Sequence, residues 1–367
     1  MAARRILMLH PRALNLNLKG LRTQAMPDGR EEKARPKRNF DLKGRTVREI
    51  IRSREEDFDH VAAKQQGLRT VLKVRDLLMR RPGRLMDIAE LSTRHPDLAE
   101  AVLDYPGIFN VIDYGTGSSL FCFTAEAEAL LKQEDNLKDT TEAHSLRVIR
   151  KILMLSVEKR LPLRKLGLLA MDLGLPSDFS DLLSRHRDFF KLSTTLDYTT
   201  WVSLASWDPE LAVSYAEIDE KQRMDGTMSQ MEMWTPKGYI LSKRHRKVLA
   251  RFREAPFVSP FSDFRDLEPL KIKFEKHAVA GMQELLNLTL HKNLVLSSLA
   301  ELKTEFSFSN KPLDLVLRHP EYFYVSPVGE QETVFLRSAY RNGELARRSS
   351  LASIREQLAK LLGIKKI

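Results

Sequence analysis

The sequence predicts an α+β fold, mainly helical with short β-hairpins, built from a repeated helix-helix-hairpin unit. Three observations predict it. The first is an internal match. Residues 144–193 lie over residues 277–326 at a constant offset of 133, without a gap. Leu153, Leu155, Lys159, Leu161, Leu163 and Leu166 meet Leu286, Leu288, Lys292, Leu294, Leu296 and Leu299, and His186 and Phe190 meet His319 and Phe323. The second is a looser third copy, "LMDIAELSTRHPDLAEAVLDYPGIFNVI", which ends on Tyr105-Pro106 and Phe109 where the others end on His and Phe. The third is that every copy runs into a polar turn and a second apolar run, at Leu120–Phe123, Thr200–Leu204 and Val334–Leu336. Apolar residues at helical spacing, then a turn between two β-prone runs, give short helices closed by a hairpin. Winged-helix-like modules have that order. The period is too long and uneven for a regular solenoid.

In chain order, residues 1–27 come first. They contain Arg4, Arg5, Arg12, Lys19 and Arg22, and no acid precedes Asp28. Leucines interleave with these bases, the composition of an organellar transit peptide rather than a secretory signal. Few Ser and Thr point to the mitochondrion, with the chloroplast as the alternative; a basic tail is the other reading. Residues 28–59 read as a polar linker and entry helix. Three related modules are expected at about 60–130, 140–215 and 265–345, all within one domain over 60–345. A basic segment, 242–264, joins the last two, and residues 346–367 form a basic amphipathic C-terminal helix.

Phe109, Phe190 and Phe323 recur where a helix gives way to a strand, and we read them as rings that plug the hairpin onto the helices. Burying such a ring stabilises by about 2–3 kcal/mol. Tyr322 and Tyr324 flank Phe323 on the opposite strand face. They are either an exposed stacking surface or core contacts with a polar edge. The connecting segment places Lys243, Arg244, Arg246, Lys247, Arg251 and Arg253 around His245 on a helix that Pro256 ends. A phosphate-binding face and a solvated face are both open readings. Arg337 and Arg341 add cations near the last hairpin.

Composition bounds the rest. The net charge is +11, from 60 basic and 49 acidic residues, with a pI near 9.6. That balance favours a polyanionic partner. A hydrophobic fraction of 43% supports a real core. No apolar run reaches the roughly 18 residues of a membrane span. The single cysteine, Cys122, excludes an internal disulfide and reads as a buried thiol between Phe121 and Phe123. No HExxH, Walker, GxSxG or paired CxxC motif occurs. "GTGSS" at 115–119 is a turn between strands, and the histidines lack metal spacing. No catalytic residue, metal or cofactor is expected.

The blocks "FREAPFVSPFSDF", "SLASWDPELAVSYAE" and "RHPEYFYVSPVGEQETVFLRSAYRNGEL" resemble the plant organelle RNA recognition domain proteins over about residues 60–350. The resemblance implies a non-catalytic organellar protein that binds group II intron RNA and promotes its splicing, with other splicing factors as partners. It supplies no residue-level RNA contacts. The site candidates Lys243, Arg244, Arg246, Lys247, Arg251, Tyr322, Tyr324, Arg337 and Arg341 rest on charge and exposure alone. A scaffold subunit of an organellar ribonucleoprotein is the alternative.

Overall fold

The computed structural model describes residues 54–113, 119–224, 243–263, 272–308 and 312–363. The leader, most of the linker and most of the "GTGSS" turn lie outside them. Three modules succeed one another with one element order. The first comprises α1 (Glu56–Leu78), β1 (Met86–Asp87), α2 (Ile88–Arg94), α3 (Pro96–Asp104), β2 (Phe109–Asp113) and β3 (Ser119–Phe123). Helix α4 (Ala125–Asp135) leads to the second: α5 (Lys138–Leu155), β4 (Arg160–Pro162), α6 (Leu163–Leu173), α7 (Phe179–Arg185), β5 (Phe190–Thr194) and β6 (Thr200–Leu204). Helices α8 (Tyr215–Met224) and α9 (Lys243–Glu254) precede the third: α10 (Ile272–Leu288), β7 (Asn293–Val295), α11 (Leu296–Glu301), α12 (Pro312–Arg318), β8 (Phe323–Ser326) and β9 (Thr333–Leu336). A small hairpin, β10 (Tyr340–Arg341) and β11 (Glu344–Leu345), and helix α13 (Ser350–Lys360) close the described chain.

Each module has an antiparallel three-stranded sheet in which the last strand lies centrally: β1-β3-β2, β4-β6-β5 and β7-β9-β8. Helix–strand–helix–helix–strand–strand with that sheet order is the winged-helix arrangement. Sequence periodicity marks the hairpins and misses β1, β4 and β7. Those strands span only two or three residues, too short for an alternation to register.

The repeat has a physical content that explains its shared residues. Arg84, Lys159 and Lys292 all adopt left-handed backbone just ahead of the first strand, with φ of 53°, 55° and 53°. There the Lys159 ammonium donates to the Met154 carbonyl at 2.6 Å. Lys292 donates to Asn287 and, at 2.9 Å, to Thr289. A cation on the last carbonyls of a helix satisfies orphan acceptors and complements the dipole. His186 and His319 each turn a helix into a strand. The His186 carbonyl accepts from the amides of Phe189 and Phe190, and that of His319 from Tyr322 and Phe323. Their rings reach back to Glu142 at 3.0 Å and Glu275 at 3.1 Å. In the first module Tyr105 takes the histidine's place. Its hydroxyl lies over Gly67, where an added Cβ would sit 2.9 Å away. The carboxylate partner is gone, and a glycine makes room for the phenol.

The second and third modules pack as approximate two-fold mates. The Val157 amide donates to the Glu305 carbonyl, and the Leu290 amide to the Asp172 carbonyl, both at 2.8 Å. Lys151 donates to Glu284, its own counterpart 133 residues on, at 2.6 Å. Leu153, Leu166, Leu286 and Leu299 meet in one core shared by the two modules. Phe190 and Phe323 are each 1% exposed within it. Phe109 is buried in a second core, which joins the first module to α13 through Leu358 and Leu362.

One expectation needs correction. Cys122 is half-buried rather than buried. Phe121 and Phe123 face the core, and strand alternation turns the residue between them outward. Helix α1 starts at Glu56, within the stretch read as linker and entry helix, and its opening turns belong to a different core from the rest of it. Phe58 and Ala62 of α1 pack with Tyr324, Phe335, Tyr340 and Leu345 on the outer face of the third sheet.

Truncating either plug ring opens a cavity in the shared core. Phe323→Ala and Phe190→Ala are each expected to destabilise by about 3–5 kcal/mol, measured by urea unfolding. Loss below about 1 kcal/mol at either position, well under the range for a buried ring, contradicts the equivalence of the two sites.

Candidate nucleic-acid interface

The basic helix α9 is built to be held on one side and open on the other. Phe252 faces inward and is buried. Its ring lies 4.4 Å from that of His319 on the third module, centroid to centroid. The Lys276 ammonium sits 5.5 Å from the same ring and donates to the Ala255 carbonyl just past the helix end. Pro256 and Pro260 cannot continue the helix. Phe261 tucks into the core, its ring centroid 5.7 Å from the Lys151 ammonium. Lys247, Arg251 and Arg253 are exposed. None of the three makes a salt bridge to a described residue. Lys243, Arg244 and Arg246 lie on the same helix; their side chains fall outside the described set.

His319 is the seat of this helix. Nε2 faces Glu275 and Nδ1 faces Glu321, each at 3.1 Å. Carboxylates only accept, so both ring nitrogens carry protons. Burial alone would pull the imidazole down, but the bonds to the two carboxylates outweigh it and raise its pKa. The same contact, with Arg318 at 2.6 Å, keeps Glu275 below the usual carboxylate range against the opposing effect of its burial.

The remaining candidates have different roles. Tyr324 is 4% exposed. Its hydroxyl donates to Asp59 at 2.8 Å and accepts from the Glu55 amide at 3.0 Å. Its ring stacks on Phe58 at 4.9 Å. Burial raises its pKa. It does face away from Phe323, but helix α1 covers that face, so it offers no surface to a base. Arg337 is 7% exposed. Its guanidinium pairs with Glu55 at 2.8 Å and donates to the Pro320 and Phe323 carbonyls at 2.7 and 3.0 Å. It fastens the start of α1 to the third module and cannot reach a phosphate. Tyr322 is half-buried, packed on the shared core and 6.3 Å from the His319 ring. Arg341, on β10, is exposed. The structure therefore brings Lys247 and Arg251 together on one open helix face, sets Arg341 on a separate hairpin, and removes Tyr324 and Arg337 from the surface.

The signal that separates these cases is in the strands themselves. "FYVS" and "TVFL" have no charged residue on either face, the mark of strands covered on both sides. The second module's "FKLST" and "TWVSL" set Lys191, Ser193 and Ser203 against apolar neighbours, the mark of a half-exposed sheet. Reasoning from aromatic content alone selects a hairpin whose outer face is covered by α1. Among the described residues no group of His, Cys, Asp and Glu could hold a metal ion. No described helix is long and apolar enough to cross a membrane.

These features define a class: a multi-module, winged-helix-like protein that carries an exposed cationic helix on a rigid core. The family model described as "Plant organelle RNA recognition domain" matches residues 53–366. The chain belongs to that family. Among similar proteins, the rice (Oryza sativa subsp. japonica) WHAT'S THIS FACTOR 1 homolog, chloroplastic, is 34% identical over 335 residues, 86% of this chain and 66% of the rice protein. The maize (Zea mays) WHAT'S THIS FACTOR 1, chloroplastic, is 33% identical over 86% of this chain and 67% of its own length. WHAT'S THIS FACTOR 9, mitochondrial, of Arabidopsis thaliana is 25% identical over 84% of this chain and 82% of its own. The match thus spans about two thirds of the rice and maize proteins. No solved structure matches the chain.

The seat of α9 makes stability depend on pH. A histidine whose folded pKa is raised contributes fully below its ordinary value near 6.5, and that contribution is lost as pH rises through the raised value. His291 works the other way. Burial, with Arg355, Arg69 and Lys292 nearby, pushes it down to about 3, so stability falls as pH drops from 6.5 towards 3. His319→Gln is expected to remove the alkaline fall and leave the acid limb in place. Urea unfolding midpoints across acid, neutral and mildly alkaline pH check this; an unchanged alkaline limb contradicts the assignment.

Proposed function

We propose that this protein is a non-catalytic organellar RNA-binding protein that binds group II intron RNA and promotes its splicing. The observation that supports this most directly is helix α9, anchored through Phe252 and displaying Lys247, Arg251 and Arg253 to solvent. Membership of an RNA recognition family supplies the polymer, and the charge of +11 supplies the attraction. Group II introns fold into structures crowded with phosphate. Cations fixed on a rigid array can hold such a fold together by neutralising its backbone, while RNA shape and unpaired bases provide specificity. Nothing in this role asks the protein to make or break a bond. A scaffold subunit whose partners touch the RNA is the competing reading, and binding measurements separate the two.

The relatives named chloroplastic and mitochondrial support an organellar address. The leader, rich in Arg and poor in Ser, favours the mitochondrion. Residues 1–27 fused to a fluorescent protein are expected to enter mitochondria. Plastid fluorescence corrects the organelle, and cytosolic fluorescence removes the targeting reading.

Each phosphate contact on single-stranded RNA adds about −0.7 to the slope of log affinity against log salt. Replacing Lys243, Arg244, Arg246 and Lys247 together by Gln is expected to flatten that slope by about 3 units and to weaken binding to every RNA tested. Filter-binding titrations of intron RNA at several salt concentrations measure this. An unchanged slope and affinity make α9 a solvated face and favour the scaffold reading.

A further inference from the structure

The outer face of the second module's sheet is open where that of the third is closed. Across β4, β6 and β5, the residues Arg160, Ser203 and Lys191 pair in one row, and Trp201 pairs with Ser193 in another. These residues point away from Leu161 and Val202, which are buried in the shared core. The matching row of the third sheet is Asn293, Phe335 and Tyr324. There α1 lies on top, with Phe58 against Phe335 at 5.4 Å and Gln65 accepting from Asn293 at 2.5 Å. In the second module Lys191 and Ser193 are exposed, and Arg160, Trp201 and Ser203 are half-buried. No described helix takes the place of α1.

The open face carries a flat, layered pair. The Arg160 guanidinium lies 4.5 Å from the Trp201 ring centroid. Glu158 holds it there through a bond from Nε at 2.7 Å. Beyond the pair, the β5–β6 turn raises Leu196 and Tyr198, which are 102% and 91% exposed. The turn is tied in place. Asp197 accepts from the Thr195 and Thr199 hydroxyls, and the Thr195 amide donates to the Thr199 carbonyl at 3.0 Å. Those hydroxyls hold the Asp197 carboxyl below the usual range. Tyr198 itself sits at φ 59°, in left-handed backbone that a residue with a Cβ rarely adopts.

Packing does not account for this arrangement, since neither Leu196 nor Tyr198 buries surface against the fold. A hydrogen-bonded tip that holds a tyrosine in unfavourable backbone and in full contact with water is a feature of a site rather than of a core. The chemistry on offer is specific: an aromatic face at the tip, a guanidinium plane on an indole, and an exposed lysine in the adjoining row. Flat rings joined by negative charge match it. Unpaired bases stack on aromatic and guanidinium planes, and cations track the backbone between them. A duplex hides its base faces and matches poorly.

We propose that the outer face of the second module's sheet, with its wing tip, binds single-stranded RNA, bases stacking on Tyr198 and on the Arg160–Trp201 pair while Lys191 meets phosphate. This rests on the RNA-binding reading above and adds a second surface, distinct from α9. The α9 helix provides charge. The wing distinguishes unpaired from paired RNA.

The full chain is titrated with an unstructured oligonucleotide and with a hairpin duplex of equal length. Tyr198→Ser and Trp201→Leu are expected each to weaken single-strand binding by about 5- to 150-fold, the range for one lost stack. Duplex affinity and the salt slope are expected to stay as they were. Single-strand binding should also quench indole emission, and Trp201→Leu should reduce that quenching. Tyr198 is exposed, so its variant tests the site without risk to the fold. Should both variants bind the oligonucleotide as the unaltered protein does, the wing proposal falls while the RNA-binding reading stands. An equal loss on the duplex also overturns the wing proposal, because stacking needs unpaired bases. Should the unaltered protein bind neither RNA, both readings fall.

Discussion

Helix α1 serves two cores at once, and the arrangement of the first and third modules depends on it. Its C-terminal half, with Leu68, Val71, Leu72 and Leu78, belongs to the first module. Its N-terminal turns, with Phe58 and Ala62, lie on the third sheet. The joint is a buried polar cluster: Arg337 with Glu55, and Asp59 accepting from Tyr324 at 2.8 Å and Ser326 at 2.6 Å. A buried cluster of this kind adds little net stability over an apolar one. Its value lies in register. Apolar rings would tolerate a slide of the helix, whereas Asp59 accepts two hydroxyls only at one position.

The same helix explains why three related modules do not have three related surfaces. On the third sheet it converts an outer face into a second core, and the strand sequence reflects this: Tyr324 and Phe335 occupy the row that holds Lys191 and Ser203 in the second. The approximate two-fold between the second and third modules uses opposite faces, through α5, α10 and the apolar strand rows, so it leaves those outer faces unconstrained. The repeat provides one scaffold twice, and different coverings separate a copy with a buried outer face from one whose outer face stays in contact with water.

Much of this was legible in the sequence because the repeat was. A constant offset of 133 carries through helix, strand, helix, helix and strand, from Lys159 and Lys292 to His186 and His319. Those shared residues mark helix ends and the hairpin anchor, where geometry leaves few alternatives. The first module departs further from the repeat, since Tyr105 over Gly67 stands where the others have His against Glu, and only the fold shows the exchange to be coupled. The site was less legible. Which hairpin is open depends on where α1 lands, a contact between Asp59 and Tyr324, 265 residues apart in the chain. Tyr324 and Tyr198 are equally aromatic in the sequence, and only coverage separates them.

Coverage also bears on how charge and shape divide the task of recognition. The excess of +11 is modest for 367 residues, and several of its cations are spent inside: Arg337 on Glu55, Lys292 on helix carbonyls, Arg355 on Glu134 and the Met171 carbonyl. Burial pulls the Arg355 guanidinium down, and Glu134 counters this. Arg337 and Arg355 tie separate parts of the chain together, and Lys292 closes the end of its own helix. Other cations stay exposed in every module, among them Lys73 and Arg94 in the first, Arg164 and Lys191 in the second and Lys303 and Arg341 in the third, and α9 adds Lys247, Arg251 and Arg253 on a single helix. Each exposed cation that meets a phosphate contributes one increment of counterion release, and a buried one contributes none. The internal ion pairs, Arg337 with Glu55 and Arg355 with Glu134, fix how the elements are spaced, so the exposed cations are carried at set distances from one another rather than on a chain free to adapt.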